Sequence, residues 1–186
     1  MSRFEIQDTP IKGVKLITRK PVGDARGWLE RTFCADDLKP AGWKKKIAQI
    51  NRTHTTKRGT VRGLHFQKPP HAEMKLISCL HGKIWDVALD LRTGSPTFMQ
   101  HFKAELSEDN HTSLLLPEGV AHGFQALSHN VEMLYFHSAP YAPEAEDSIH
   151  PEDPLADIHW PLPITVISDR DKGKPFITRR FKGVKL

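Results

Sequence analysis

The sequence predicts an all-β fold, an antiparallel β-sandwich or barrel, and three observations carry that reading. Runs with β character recur at short spacing, the breaks between them hold turn residues, and helix is scarce. The runs cover residues 14–17, 28–33, 74–80, 83–91, 98–106, 113–116 and 131–137. Turn chemistry separates them at Pro21-Val22-Gly23-Asp24, His81-Gly82, Thr93-Gly94-Ser95-Pro96 and Pro117-Glu118-Gly119. Strands at this spacing fit a sandwich or barrel better than alternating βαβ units. Beyond the strands, Ala35-Asp36-Asp37-Leu38 and Asp153-Pro154-Leu155-Ala156 read as short turns. Residues 141–174 are rich in proline, acids and turn formers, and read as a long C-terminal loop wrapping the sandwich.

Bulk properties narrow the class. The 186 residues fit one domain, 1–186, and 38% hydrophobic with 26% charged residues is ordinary for a globular chain. The longest apolar run, Leu114-Leu115-Leu116, stops at Pro117, far short of the roughly 20 residues that span a bilayer. Met1-Ser2-Arg3-Phe4-Glu5 contains no apolar leader core. The two cysteines, Cys34 and Cys79, suggest no disulfide framework, so the expected compartment is the cytoplasm. The net charge of +5 is spread along the chain, and its one run, Lys44-Lys45-Lys46, lacks interleaved aromatics. That disfavours nucleic acid. Single arginines beside glycine and aromatic residues suit a small anion such as a pyrophosphate.

Two segments concentrate the chemistry. One runs from Arg58 through Arg62-Gly63-Leu64-His65-Phe66-Gln67 to Glu73-Met74-Lys75; the other is Pro117-Glu118-Gly119-Val120-Ala121-His122-Gly123-Phe124. Together they resemble the two motifs of the cupin superfamily, a jelly-roll β-barrel whose metal-binding members supply His-x-His, a carboxylate and a further His. Here Gln67 stands in place of the second histidine, and an amide is a poor ligand for zinc or iron. Lys75 adds a positive charge beside Glu73, which opposes a cation. His65, Glu73 and His122 still form a possible set, so a metal-dependent cupin oxygenase stays open as a competing reading.

The resemblance narrows further. Arg-Gly-x-x-Arg-Gly-Leu-His-Phe-Gln at 58–67 is similar to the signature of dTDP-4-dehydrorhamnose 3,5-epimerases. So are Asp24-Ala25-Arg26-Gly27-Trp28-Leu29-Glu30, Lys75-Leu76, Asp86-Val87-Ala88-Leu89-Asp90-Leu91-Arg92, Gly94-Ser95-Pro96-Thr97-Phe98 and Ala121-His122-Gly123-Phe124. Tyr141-Ala142-Pro143-Glu144, Ile158-His159-Trp160-Pro161 and Ser168-Asp169-Arg170-Asp171 follow in the family's order.

The resemblance implies an isomerase of deoxysugar biosynthesis, serving a cell-surface polysaccharide such as lipopolysaccharide O-antigen, or a glycosylated metabolite. Its substrate would be a nucleoside-diphosphate 4-keto-6-deoxyhexose, epimerised at C3 and, in double epimerases, also at C5. The C4 ketone acidifies the neighbouring hydrogens, so the cycle is proton removal, enolate formation and reprotonation on the opposite face, with no cofactor and no metal.

Roles follow by position in the family. His65 is the base, a histidine's ordinary pKa near 6.5 suiting that task. Asp171 orients it, although between Arg170 and Lys172 it reads, on composition alone, as a surface acid. Tyr135 is the opposing acid, and Lys75 stabilises charge on the ketone oxygen. Without the resemblance these two read as a tyrosine at the core edge and a snorkelling lysine, though alternation with Ile77 and Cys79 turns Lys75 inward. Arg62 grips the diphosphate. His122, Gln49, Asn51 and Tyr141 line the substrate site, each equally readable as an ordinary structural residue. Arg26 and Glu30 match residues that reach the nucleotide of a neighbouring subunit, implying a homodimer with exchanged N-terminal strands. Relatives commonly carry a Lys-x-Thr-x-Tyr-Tyr run where this chain has Phe136-His137-Ser138-Ala139-Pro140-Tyr141, and Gln-Ala-Lys where it has Glu73-Met74-Lys75. A C3-only epimerase, a 3,4-ketoisomerase and a non-catalytic sugar-nucleotide binder also stay open at this point.

Overall fold

Apolar runs such as Leu76-Ile77 and Leu114-Leu115-Leu116 do not alternate with polar residues, and the structure shows why: both faces of these central strands are covered. The structure is a computed structural model that describes residues 2–186. One sheet has six strands side by side: β1 (Phe4–Asp8), β2 (Lys15–Arg19), β10 (Thr112–Leu116), β7 (Lys75–His81), β12 (Val131–His137) and β5 (Gln49–Thr55). The other has five: β13 (Glu146–Ser148), β6 (Val61–Gln67), β11 (Val120–Ala126), β8 (Lys83–Asp90) and β9 (His101–Ser107). Every neighbouring pair is antiparallel. This is the cupin-like antiparallel sandwich that the sequence predicts.

The core has three layers. Ile77, Leu114, Leu116 and Met133 from the first sheet interlock with Ile84, Ala88, Val120 and Phe124 from the second. Their sequence neighbours point the other way. Leu76, Leu115 and Phe136 pack outward against Leu38, Ala41 and Trp43, while Leu64, Val87, Leu89 and Ala121 pack outward against Ile149, Ala156 and Val184. Burying a large apolar side chain is worth roughly 1.5–3 kcal/mol, so each covering segment adds stability as well as shielding an apolar face.

Several expectations need correction. Residues 21–24, read as a turn, instead hold β3 (Val22–Asp24), which pairs with β4 (Gly27–Leu29) in a separate exposed hairpin. The strand expected over 28–33 ends with β4, because Phe33 leaves to stack on Phe136 and meet Trp43 edge-on. Ala35–Leu38, read as a short turn, is the short helix α1, while Asp153-Pro154-Leu155-Ala156 lies in a turn as expected. The wrapping segment is not structureless. It contributes β13, paired to β6, and the helical turn α2 (Asp169–Lys172), whose N-cap Ser168 accepts the Asp171 N–H. Among the described residues no helix is long and apolar enough to cross a membrane.

β6 and β11 approach unusually closely where the site begins. Gly63 has φ of +125°, and a Cβ there would meet the His122 carbonyl oxygen at 2.8 Å and run into the Gly123 backbone. Neither neighbour is a movable side chain. Gly63→Ala is therefore expected to destabilise the fold by about 2 kcal/mol or more, read as a lower denaturant midpoint. An unchanged midpoint would show that β6 can shift at this point.

Candidate active site

Strand register builds the pocket. On the first sheet His137 lies between Gln49 and Lys75, and Tyr135 between Asn51 and Ile77. With alternate side chains on one face, Gln49, Asn51, Lys75, Tyr135 and His137 share the inner surface. On the second sheet His65 lies opposite His122, which in turn pairs with Ala88. The sheets enclose a cavity of about 560 Å³, lined by these residues together with Arg62, Glu73, Tyr141, Arg170 and Asp171. Nine of the eleven predicted site residues therefore converge. Arg26 and Glu30 do not: Arg26 is exposed and paired with Asp24, and Glu30 is buried in an ion pair with Arg19 and bonded to His111.

His65 is held from one side. Its Nε2 lies 2.7 Å from Asp171 Oδ1, leaving Nδ1 without a hydrogen-bond partner among the described residues. Asp171 is 3% exposed, so it is not the surface acid its charged neighbours suggest. The α2 turn, capped by Ser168, tucks its side chain against β6, where the Gly63 N–H approaches the second oxygen at 3.4 Å. Burial alone would raise the Asp171 carboxyl. Hydrogen bonds from His65 and Ser168, with the coulombic pull of His65, outweigh it and hold the carboxyl below its ordinary range. An ionised Asp171 favours the tautomer with the proton on Nε2 and the lone pair on Nδ1; in that tautomer the neighbouring Arg170 guanidinium donates to Glu146 rather than to the ring.

Tyr135 comes from the opposite sheet and is 9% exposed. Burial first, and nearby Asp86 second, push its phenol well above the ordinary tyrosine value. It therefore stays protonated and able to donate throughout the neutral range. His122 meets its ring edge-on at 5.9 Å and is itself fixed by Asp86, 2.6 Å from its Nε2. Fully buried, Asp86 keeps a carboxyl raised from its usual value by desolvation, despite His122.

Cations mark the rest of the cavity. The ammonium of Lys75 lies 3.3 Å from the His65 carbonyl oxygen and 3.2 Å from Glu73. Arg62 at the rim is anchored through Nε on the Thr55 hydroxyl at 3.0 Å and through Nη2 on the His54 carbonyl. Gln49 accepts the Tyr141 N–H, and the Tyr141 hydroxyl donates to Glu146.

Some of the arrangement is not legible in the sequence. Arg170 places Nη2 2.9 Å from His65 Nε2 and Nη1 2.7 Å from Glu146. Its motif, Ser168-Asp169-Arg170-Asp171, is visible in the sequence, but only α2 shows that both charged side chains turn to the same histidine. Asp86 and Glu73 also enter as partners rather than as ligands. Gln67 is fully engaged: its amide donates to the His71 and Pro140 carbonyls and accepts the Ala142 N–H. Among the described residues no group of three or more His, Cys, Asp or Glu side chains is arranged to hold a metal ion. Here His65, Glu73 and His122 each bind a different partner.

Comparison with known proteins gives a consistent picture. Residues 8–179 match the family model described as dTDP-4-dehydrorhamnose 3,5-epimerase. The enzyme of that name from Sinorhizobium fredii is 38% identical over 94% of this chain and 90% of its own length. A dTDP-4-dehydrorhamnose 3-epimerase from Streptomyces niveus is 36% identical over 87% of this chain and 78% of its own. Among solved structures, the dTDP-4-dehydrorhamnose 3,5-epimerase of Bacillus anthracis, with TDP and pyrophosphate bound, superposes with a TM-score of 0.90. It is 35% identical, covering 94% of this chain and 99% of its own.

Proposed function

The chain belongs to the dTDP-4-dehydrorhamnose 3,5-epimerase family, isomerases of deoxysugar biosynthesis, and on that premise we propose how its own residues perform the reaction. The substrate is a dTDP-4-keto-6-deoxyhexose, inverted at C3 and C5. The observation that carries this reading is the His65–Asp171 pair on one sheet with Tyr135 on the other, all lining one cavity.

His65 Nδ1 removes the proton from C3. The electron pair of that C–H bond moves into the C3–C4 bond, and the carbonyl π pair moves onto O4, where Lys75 supplies positive charge. Tyr135 then donates its hydroxyl proton to C3 from the opposite face while the enolate collapses back to the ketone. His65 releases its proton to solvent and Tyr135 regains one, so the cycle closes without any redox change. The same sequence at C5 gives the second inversion. Arg62 holds the diphosphate, and His122, Gln49, Asn51 and Tyr141 shape the sugar site.

A second reading, inversion at C3 alone, is supported by the 36% identity to the Streptomyces niveus 3-epimerase. We also infer a homodimer. Val22, Trp28 and Leu29 on the detached β3–β4 hairpin are 45%, 67% and 67% exposed, an apolar surface that a second copy would cover. Arg26 and Glu30 would then serve the partner's nucleotide. Cytoplasmic placement is supported by two free cysteines, Cys34 and Cys79. The whole chain is read as one epimerase domain, 1–186.

Incubation with dTDP-, CDP- and GDP-linked 4-keto-6-deoxyglucose, with NMR of the products, tests the reading. An epimerised product is expected from the dTDP sugar. A 3-keto product would instead identify a ketoisomerase, and no turnover of any of the three would remove the proposal.

Asp171→Asn should leave the ring in place but lose the tautomer and the stabilising charge. A fall in kcat of about 10²–10⁴-fold is expected, with KM little changed. A variant within threefold of wild type would show that the carboxylate does not act through His65. Because its folded pKa is depressed, Asp171 contributes stability that is complete above about pH 4. That contribution is lost as pH falls through the lower folded value.

A further inference from the structure

The pocket wall beside Lys75 holds two groups that the proton cycle does not use. Glu73 is buried there, its side chain 8% exposed, with one oxygen 3.2 Å from Lys75 Nζ and the other 2.8 Å from His137 Nδ1. His137 lies directly beside Lys75 on β7 and beside Gln49 on β5, and its Nε2 is 3.4 Å from Asn51 Nδ2. Tyr135, next along β12 on the same face, stacks on the imidazole with centroids 6.0 Å apart. The groups facing His137 are thus Glu73 and Lys75 from β7 and its lead-in, Gln49 and Asn51 from β5, and Tyr135 from β12.

This geometry poses an electrostatic problem. A carboxylate in contact with the lysine, in a site shielded from water, cancels much of that lysine's attraction for a developing oxyanion. The carboxylate stays ionised: burial pushes the Glu73 carboxyl up, but His137 and Lys75 bring it below its ordinary value. The imidazole decides the balance. With His137 protonated, Lys75, Glu73 and His137 together carry one net positive charge; with it neutral they carry none.

We propose that His137 is a positioning residue for the epimerisation: by taking up Glu73 it leaves Lys75 an uncompensated positive charge for the enolate oxygen, and it ties that charge to its own proton. The inference rests on the role given to Lys75 above. The coupling has a definite sign: loss of the His137 proton neutralises the cluster and weakens its hold on the enolate oxygen.

The test is kcat and KM against pH for wild type, His137→Leu, Glu73→Gln and the double variant, with a melting temperature for each. His137→Leu leaves Glu73 on Lys75 alone, and a fall in kcat of tenfold or more is expected with KM little changed. Adding Glu73→Gln removes the unbalanced carboxylate and is expected to recover most of that loss, which no purely structural role of His137 explains. Glu73→Gln alone is expected to flatten the alkaline fall in kcat, because Lys75 then keeps its charge whatever the state of His137. A double variant no faster than His137→Leu, or a Glu73→Gln enzyme with the wild-type alkaline limb, overturns the proposal. Should His137→Leu fail to fold, the Glu73→Gln profile decides alone. A wild type without turnover refutes the epimerase reading and this inference with it, whereas an active wild type with the wrong variant pattern removes only the role of His137.

Discussion

His65→Ala is expected to lower kcat by about 10³-fold or more and to abolish deuterium exchange at both C3 and C5. The reason lies in how completely the imidazole is prepared. Asp171, 3% exposed and held below its ordinary pKa, fixes Nε2 and leaves Nδ1 for the cavity. The other ionisable groups of the cavity are already engaged: Lys75 and Arg170 are cations, Glu73 and His137 bond each other, His122 is held by Asp86, and Glu146 takes Tyr141 and Arg170. Substrate binding should survive, since Arg62 and the sugar-site residues are untouched, so the loss should appear in kcat rather than KM. Exchange persisting at the wild-type rate would remove His65 as the base.

Tyr135→Phe separates two events that normally occur together. In the proposed cycle, removal of the substrate proton belongs to His65, and delivery to the other face belongs to the phenol. Burial and Asp86 keep that phenol protonated, and its position on β12 brings it from the sheet opposite His65. Without the hydroxyl the enolate still forms, and His65 returns a solvent-derived proton to the face it came from. The expected result is deuterium wash-in with retained configuration, while net inversion falls by about 10²-fold or more. Loss of exchange and inversion in equal measure would mean that Tyr135 also takes part in forming the enolate. Phenylalanine fills nearly the same volume, so the packing against His122 and His137 is kept.

Much of the fold was legible because the strands are rich in β-branched and aliphatic residues and are punctuated by glycine and proline. What misled was coverage. The β3 strand contains a glycine and buries none of its residues, so Pro21-Val22-Gly23-Asp24 carries a turn signal and no core signal. The run at 28–33 ends in an aromatic for a different reason, since Phe33 serves the outer layer around Trp43 rather than a ladder. At the site, the inward direction of Lys75 followed from alternation along β7. Asp171 did not: it lies 106 positions from His65, and only the α2 turn brings it under β6. The link between Glu73 and His137, 64 positions apart, depends on β12 lying beside β7 in one register, which no local pattern in either segment encodes.

The central claim, proton transfer beside a ketone by a base and an acid on opposite sheets, is tested most directly by solvent isotope. Wild-type protein incubated with dTDP-4-keto-6-deoxyglucose in deuterated water is expected to place deuterium at C3 and C5 of an epimerised sugar. Deuterium at C3 alone would mark the single epimerase, with the same base and acid. A substrate recovered without deuterium at either carbon would contradict the account.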